Sequence, residues 1–450
     1  MNLQASRSFP FFPYLTLCAV SMSLGWGLRG TIGGGPVGAM IPGVMIGLPI
    51  ALAFNLRKDL GVLLAFTTVG VALGGQMTYG QTIGFTKTGP LWWGLWAMTL
   101  KGAVWGLTGG VVVGLGFMRR KYRMEELLWG LLILMAMTIC GRMLLDTPKI
   151  YYLSNRWVEP REEVWLGLLL GGVSLQCYLL LLNREKVTLN FAFWGMICGA
   201  IGFGGGGLFF PLEDLIKEKI AVTSPMRYLR DLPAWKEMEF FFGLMLGIGY
   251  GLAAYLKRHE ILALEEQSEA TVDTWDLFPG FVRYVLAIAI PPLALWLHFT
   301  VRFHPMYTIT GTILLLAALG SPRAAFHVAV TMTIVAFFRD HAYAMAKQFH
   351  FEIGPGAWLM VFLLTIPVAI VIEALPKRSS FFTFIALMLV GWLGTLTALD
   401  KMGIQGNLNP SFTVLVFVNE AVVMTLLAMA FQRWNRRRGV PGNSPAKSAA

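Results

Sequence analysis

One acidic residue, Glu420, lies near the middle of the apolar run TVLVFVNEAVVMTLLAMAF. A charged group at the centre of a bilayer costs at least about 2.5 kcal/mol on insertion scales, so this carboxyl group must face protein or water. No basic residue is evident at the same depth, so we expect Glu420 to be protonated or to hold a cation in at least one state. Glu420 and the adjacent Asn419 are therefore predicted to couple an ion. The alternative is that Glu420 makes a hydrogen bond that locks helix packing.

A second stretch that could bind a ligand is an arginine followed by glycines, in GWGLRGTIGGGPVGAM from Gly25 to Met40. Arg29 supplies a planar set of hydrogen-bond donors, and glycine-rich backbone can turn several N–H groups toward one anion. A second glycine run follows Phe203. The alternative is a tight turn whose arginine extends its charge to lipid headgroups. The predicted anion-binding residues are Arg29, Gly33, Gly34, Gly35, Gly204 and Gly205.

Four more polar residues fall near the predicted outer ends of apolar runs. Lys101 and Glu239 have opposite charges and stand at the same distance before a basic pair. We predict that they form a structural ion pair, with a gating pair as the alternative. Gln76 and Gln81 are predicted to line a substrate cavity or to hydrogen-bond between helices.

Residues of the predicted outer loops could perform acid–base chemistry at the membrane surface. Asp340, His341 and Glu163 are the candidates for such catalytic roles. No pair of histidines has the HExxH or HxxxH spacing of a zinc site on one helix, so no metal site is predicted. The glycine runs lack the lysine and the serine or threonine of a P-loop, so neither ATP nor another cofactor is expected.

The elements that must position these residues are membrane helices. The chain of 450 residues is 56% hydrophobic and only 14% charged, whereas soluble proteins carry about 25% charged residues. The mean hydropathy is +0.62, and the apolar runs are continuous rather than alternating, which argues against a β-barrel. The formal charge of +11 comes from basic residues dispersed between apolar runs. That dispersal is typical of cytoplasmic membrane anchors and not of a nucleic-acid surface.

Fourteen apolar runs approach the roughly 20 residues that one crossing needs. Basic residues recur in alternate loops, which places both termini in the cytoplasm. The two short runs on either side of residues 321–323 could instead form a re-entrant hairpin, which leaves twelve spans. We therefore predict an all-α, polytopic integral membrane bundle of 12–14 transmembrane helices. The predicted spans are 11–28, 36–54, 60–84, 91–118, 125–144, 164–182, 191–210, 237–256, 279–298, 306–321, 324–338, 356–373, 380–398 and 411–431.

A weak internal similarity relates WGLRGTIGGG, from Trp26, to WGMICGAIGFGGGG, from Trp194. Both segments end a predicted outward span, so the similarity suggests a parallel repeat whose halves are related by an axis along the membrane normal. The alternative is that glycine-rich helices resemble one another by composition alone. The predicted divisions are a single transmembrane domain, 1–432, with repeat units 11–123 and 164–260 and remaining helices 279–431, and a basic, disordered cytoplasmic tail, 433–450.

These features favour a secondary transporter or flippase for a small anionic or lipid-linked substrate, coupled to a proton or cation. Arg29 and the glycine runs would contact the anion, and Glu420 would carry the ion. The alternatives are a membrane-embedded transferase that acts on a lipid-linked donor at the outer face, and a non-catalytic scaffold subunit. Short loops without an N-glycosylation acceptor suit a bacterial inner membrane. The expected partners are membrane lipids and the substrate, without nucleic acid or ATP.

Overall fold

The protein is built from helices throughout the part of the chain that the structure describes. This computed structural model describes residues 9–32, 35–57, 59–154, 163–183, 186–221, 223–224, 230, 233–267, 281–282, 285, 289, 305–320, 329, 350, 380–404 and 412–439. No strand occurs within these residues. The predicted all-α fold class is confirmed.

Long apolar helices make the chain a multi-pass membrane protein. In chain order the described helices are α1 (Phe11–Ile32), α2 (Gly35–Phe54), α3 (Leu60–Leu73), α4 (Gly80–Thr88), α5 (Leu91–Met118), α6 (Met124–Gly141), α7 (Trp165–Asn183), α8 (Lys186–Gly206), α9 (Phe209–Lys219), α10 (Ala234–Leu256), α11 (Arg258–Gln267), α12 (Pro305–Gly320), α13 (Ser380–Ile404) and α14 (Phe412–Gly439). Among them, eight are long and apolar enough to cross a membrane: α1, α5, α6, α7, α8, α10, α13 and α14. The count becomes nine if α3 and α4 together form one bent span.

The predicted span 60–84 is not one straight helix. The α-helix α3 ends at Leu73, a 3₁₀ turn follows over Gly74–Gln76, and α4 continues at an angle of 56° to the first part. Two glycines in succession weaken the helix at this point. The Trp105 ring of α5 also occupies the space that a side chain at Gly74 would need. The chain therefore breaks where a neighbouring tryptophan enters, and α4 is free to take another direction.

Several predicted spans cannot be compared with the structure. Span 356–373 and almost all of spans 279–298 and 324–338 lie outside the described residues. The total of 12–14 helices, the re-entrant alternative and the internal repeat therefore stay predictions. Two short helices that the sequence analysis did not expect, α9 and α11, follow the ends of α8 and α10.

Glycines allow α5 and α8 to approach each other closely. A side chain at Gly102 would overlap the carbonyl oxygen of Gly199, and a side chain at Gly106 would overlap that of Gly195. The contact is reciprocal, since side chains at Gly195 and Gly199 would meet the α5 backbone. Small residues on both faces are the usual basis of tight helix packing in membranes.

The described helices run alternately between two ends of the bundle. At one end, Phe9 before α1 packs against Trp434 of α14, with ring centroids 5.7 Å apart. Asn435 donates a hydrogen bond to Leu52 O, at the end of α2, at 2.6 Å. The following Asp59 binds Arg120 at 2.6 Å. We call this the basic end, because described basic residues of loops that were predicted to be cytoplasmic, such as Arg119 and Arg120, lie there.

The first helix lies in the middle of the arrangement. α1 packs against α2, α10, α13 and α14. Its C-terminal turn, which contains Arg29, lies at the end of the bundle opposite the basic end. A charged residue of α1 can therefore meet residues that are distant in the sequence.

Candidate functional site

Arg29, in the last turn of α1, is buried with 5% of its surface exposed. Its Nη1 donates a hydrogen bond to Tyr79 Oη and lies 3.6 Å from Glu239 Oε1 on α10. Lys236, one turn earlier on α10, holds the other oxygen of Glu239 at 2.7 Å. We call Arg29, Tyr79, Lys236 and Glu239 the Arg29 cluster. It brings together α1, α10 and the residue that precedes α4.

Aromatic rings replace water around the guanidinium group. The guanidinium carbon of Arg29 lies 5.4 Å from the centroid of Trp26 and 5.6 Å from that of Tyr79. Such contacts stabilise a desolvated cation by about 0.5–2 kcal/mol. Arginine suits this position better than lysine, since its planar and weakly hydrated group can stack on rings while it donates hydrogen bonds.

The glycine that follows Arg29 makes room for the ion pair. A side chain at Gly30 would overlap the carboxylate of Glu239. Lys236 also approaches the end of α1, where its Nζ lies 3.3 Å from Gly27 O. Gly27 and Gly30 thus serve the approach of α10.

The Arg29 cluster carries an excess positive charge. Arg29 and Lys236 are cationic, and Glu239 is the one carboxylate among its members. Arg29 Nε is also buried without a hydrogen-bond partner among the described residues. A buried donor on a charged group normally finds an acceptor. The Arg29 cluster can therefore donate hydrogen bonds to the oxygen atoms of an anion.

Glu420 contacts α1 through Ser23. Ser23 Oγ lies 2.6 Å from Glu420 Oε1 and 2.9 Å from Phe240 O on α10. The second carboxyl oxygen, Oε2, is buried and has no hydrogen-bond partner within the described part of the chain. Another carboxyl group, Glu237 on α10, acts on Glu420 electrostatically. Two negative charges at these positions would repel each other.

The Arg29 cluster and Glu420 lie along one interface of α1, α10 and α14. Glu239, which binds Arg29, precedes Phe240, whose carbonyl oxygen accepts from Ser23. Ser23 and Arg29 are six residues apart on α1, which corresponds to about 9 Å along the helix axis. The two groups that the sequence analysis singled out for an anion and an ion are therefore neighbours.

The predicted pairing of Lys101 with Glu239 is not found. Lys101 Nζ instead lies 2.8 Å from Glu163 Oε1, 2.6 Å from Thr78 O and 3.2 Å from Thr82 Oγ1. Glu239 has Arg29 and Lys236 as its partners. Packing of the intervening segments, which the sequence does not show, decided these pairings.

The Lys101–Glu163 pair is saturated with hydrogen bonds. Lys101 uses its three donors, and Glu163 also accepts from Ser154 Oγ and, at 2.7 Å, from Leu153 N. Both side chains are at most 1% exposed. Glu163 therefore serves structure here, and it is not available at a surface for the acid–base role that was considered for it. Asp340 and His341, the other two candidates for that role, lie outside the described residues.

Two further polar candidates have different surroundings. Gln76 Nε2 donates to Leu73 O at 2.9 Å and lies 2.7 Å from Thr308 Oγ1 on α12. Gln76 thus makes the interhelical hydrogen bond that was one of its two predicted roles. Gln81 is half-buried in α4. Asn419 is exposed on the described part of α14, so the structure does not bring it to the Glu420 site.

The second glycine run does not form an anion-binding loop. Gly204 and Gly205 belong to α8, where helical hydrogen bonding uses the backbone groups. A side chain at Gly204 would overlap Thr99 of α5, so this glycine serves close packing. Of the first run, Gly33 and Gly34 lie outside the described residues, and Gly35 begins α2 with a positive φ of 71°.

Sequence reasoning missed three members of the site: Ser23, Tyr79 and Lys236. Ser23 and Tyr79 lie in runs that contain other serines, threonines and tyrosines, so their types gave no signal. Lys236 was not singled out in the sequence. A lysine one helical turn before the acidic Glu239 is a recognisable i, i+3 pair, and that spacing could have identified it.

No family model, curated protein or solved structure matches the chain.

Proposed function

We propose that the protein is a secondary transporter that binds a small anion at Arg29 and couples its movement to a proton at Glu420. One observation supports this proposal most directly. The interface of α1, α10 and α14 holds ionisable groups whose buried polar atoms have no hydrogen-bond partner among the described residues: Arg29 Nε, Glu420 Oε2 and Glu237 Oε1. The saturated Lys101–Glu163 pair shows that this chain can satisfy a buried charge completely.

An anion would complete the Arg29 cluster. The cluster has one net positive charge in a site from which water is largely excluded, and an unpaired buried charge is costly. A bound carboxylate or phosphate oxygen would accept from Arg29 Nε and neutralise the excess charge. Attraction of this kind is strong because Arg29 is desolvated and offers a rigid fork of donors.

The surroundings of Glu420 suit the uptake and release of a proton. A serine hydroxyl has one hydrogen and can donate it to one acceptor. When Glu420 is protonated, its hydroxyl donates to Ser23 Oγ and Ser23 donates to Phe240 O, which satisfies both contacts. When Glu420 is ionised, Ser23 turns its hydrogen to the carboxylate, and Phe240 O loses the hydrogen bond from Ser23. The protonation state of Glu420, on α14, is thus linked to the hydrogen bond between Ser23 of α1 and Phe240 of α10.

That linkage provides a route for coupling. Glu239, the anion-site carboxylate, immediately precedes Phe240 on α10. A change at Ser23 therefore alters the helix pair that holds Arg29 and Glu239. Ion and substrate sites that lie between the same helices are a common arrangement in secondary transporters.

The same proposal includes a location. The chain would reside in a bacterial inner membrane, with the basic end and both termini in the cytoplasm, by the positive-inside rule. The Arg29 cluster would then lie toward the outer side. The basic residues after α14 would bind anionic lipid headgroups.

The test is uptake into proteoliposomes that contain the purified chain and a pH-sensitive dye. An inward gradient of inorganic phosphate, succinate or nicotinate is applied, and a fluorescent long-chain phosphate ester is added in a separate assay for lipid-linked substrates. We expect one of these probes to enter with protons in the wild type. Uptake should fall at least tenfold in Arg29→Ala, and Glu420→Gln should abolish the proton movement.

The matched control is Lys219→Gln, which removes a charge from the exposed pair Lys219–Glu218 on α9. It should transport like the wild type. Gradient-independent movement with a fully active Glu420→Gln variant would contradict the coupled mechanism. Turnover of a lipid-linked donor in detergent would favour the transferase alternative, and a fixed protein partner without any ligand response would favour the scaffold.

A further inference from the structure

Trp26 carries a buried hydrogen-bond donor that has no described acceptor. The side chain is 1% exposed, and its Nε1 has no hydrogen-bond partner in the part of the chain that the structure describes. A buried indole N–H usually finds an acceptor. The neighbouring Trp105 follows that rule, since its Nε1 donates to Val71 O at 2.7 Å. The lack of a described acceptor therefore distinguishes Trp26 from Trp105, although the two rings pack 4.9 Å apart.

The unpaired donors of Trp26 and Arg29 lie on one face of α1. Residues three apart on a helix are neighbours, and the guanidinium carbon of Arg29 lies 5.4 Å from the Trp26 ring. Both side chains approach α10. Glu239 pairs with Arg29, and a side chain at Gly243, one turn further along α10, would lie 2.6 Å from Trp26 Cδ1, the atom bonded to Nε1. The glycine therefore allows α10 to pack closely against the edge of the indole ring.

We propose that Trp26 Nε1 and Arg29 Nε together bind the carboxylate of a small monocarboxylate with an apolar, preferably aromatic, body. This inference rests on the proposed transport function and names its substrate class. A carboxylate has two oxygen atoms that accept hydrogen bonds. One oxygen would accept from each of the two donors, so that neither N–H remains unpaired.

Charge selects a monoanion over a dianion. The Arg29 cluster has one net positive charge, which one carboxylate neutralises. A dianion would leave a net negative charge in a buried site, and burial of an uncompensated charge is costly. The same argument disfavours inorganic phosphate in its doubly charged form.

Aromatic residues supply the surface for an apolar body. Trp26 packs against Phe242, with ring centroids 4.7 Å apart, and Tyr79 packs against Phe203 at 5.1 Å. Tyr79 is half-buried, and its ring lies 6.3 Å from that of Trp235, which is 44% exposed. The rings therefore extend from the buried donors to the surface at the end opposite the basic end.

The test is thermal unfolding of the full chain in detergent, titrated with benzoate, with benzamide as the neutral isostere. Benzoate should raise the unfolding midpoint with a saturable concentration dependence, and benzamide should not. Trp26→Phe keeps a ring but removes the N–H, so it should weaken benzoate binding about tenfold. Arg29→Lys should weaken binding at least tenfold, because lysine lacks the planar fork of donors.

The matched control is Trp105→Phe. It removes an indole N–H that already has an acceptor, so the free protein should become less stable while the Kd for benzoate stays within twofold of the wild type. Equal weakening by both tryptophan substitutions, or equal stabilisation by benzoate and benzamide, would overturn the proposal. If Trp26→Phe does not fold, the comparison of benzoate with benzamide on the wild type and on Arg29→Lys decides in the same way.

The outcome separates this inference from the proposed function. Benzoate binding that depends on Trp26, in a protein that moves no nicotinate into vesicles, would support the site and contradict transport. Proton-coupled uptake of phosphate or succinate, without benzoate binding, would support transport and overturn the monocarboxylate assignment.

Discussion

Ser23 Oγ lies 2.6 Å from Glu420 Oε1, although the two residues are 397 positions apart in the sequence. The contact joins the first and the last described helices. It also places a membrane-buried carboxyl group beside the backbone of α10, through the second contact of Ser23 with Phe240 O. A single hydroxyl thus links three helices at the depth where the carboxyl group is buried.

Removal of that hydroxyl should destabilise the bundle. In Ser23→Ala, Glu420 Oε1 loses its partner and Phe240 O loses the hydrogen bond from Ser23, so we expect a loss of about 1–3 kcal/mol in unfolding free energy. Ser21→Ala is the matched control, since Ser21 Oγ is buried without a hydrogen-bond partner among the described residues. Chemical unfolding in detergent measures both. Equal losses in the two variants would show that the Ser23 contacts contribute little.

The Lys101–Glu163 ion pair, whose hydrogen bonds are all made, should show strong coupling between its two side chains in the unfolding free energy. Lys101→Met leaves the buried Glu163 without its counter-charge, so the unfolding free energy should fall by about 3–5 kcal/mol. The double variant Lys101→Met/Glu163→Gln should recover part of that loss, because no unpaired charge remains. A double-mutant cycle by chemical unfolding measures the coupling. Additive losses would mean that the two side chains do not act as a pair.

Gly30 should be sensitive to a single methyl group. A side chain there would overlap the carboxylate of Glu239, so Gly30→Ala should displace that carboxylate from Arg29 and reduce anion binding at least tenfold. At Gly84, a side chain would meet nothing within 4 Å. Gly84→Ala should therefore bind normally. Isothermal titration of both variants with the anion that the wild type binds compares them directly.

The short helix α4 should open when its contact with α9 is removed. Lys87 Nζ lies 3.1 Å from Glu213 Oε2 and joins the two helices at the end opposite the basic end. In Lys87→Gln we expect faster hydrogen exchange over Gly80–Thr88, by several-fold, because an exposed ion pair contributes less than about 1 kcal/mol. Lys219→Gln breaks a pair within α9 alone and should leave the exchange of α4 unchanged. No difference between the variants would show that the ion pair does not hold α4.

The orientation of the chain has its own test. With both termini at the basic end, a C-terminal fusion to green fluorescent protein should fluoresce in a bacterial host, and a fusion to alkaline phosphatase should be inactive. A fusion after Lys219, at the opposite end, should show the reverse pattern. Active phosphatase at the C-terminus would place the basic end outside and would also invert the proposed location of the Arg29 cluster.

Much of the helical fold could be predicted from the sequence, because each membrane span corresponds to a long apolar run of residues. The predicted span 91–118 coincides with α5. The position of the break in 60–84 could not be predicted, since it depends on the Trp105 ring beside Gly74. Local sequence does not show which neighbour enters a helix.

The candidate site was predicted less completely. Arg29 and Glu420 were recognisable because a charged residue within an apolar run is costly to bury unless it has a partner or a function. Their partners were not, since Ser23 and Tyr79 have ordinary types and become significant only through tertiary contacts. The predicted Lys101–Glu239 ion pair was wrong for the same reason. The two residues stand at the same distance before a basic pair, which suggested that they interact, whereas helix packing places Lys101 beside Glu163.

The position of α1 between early and late helices has a consequence for biosynthesis. Translation proceeds at about 5–20 residues per second, so Glu420 emerges roughly 20–80 s after Ser23. During that interval α1 must stay in the membrane without its last partner. The contact between Ser23 and Glu420 therefore forms only when the last helix inserts, and a prematurely terminated chain that carries Arg29 would lack it.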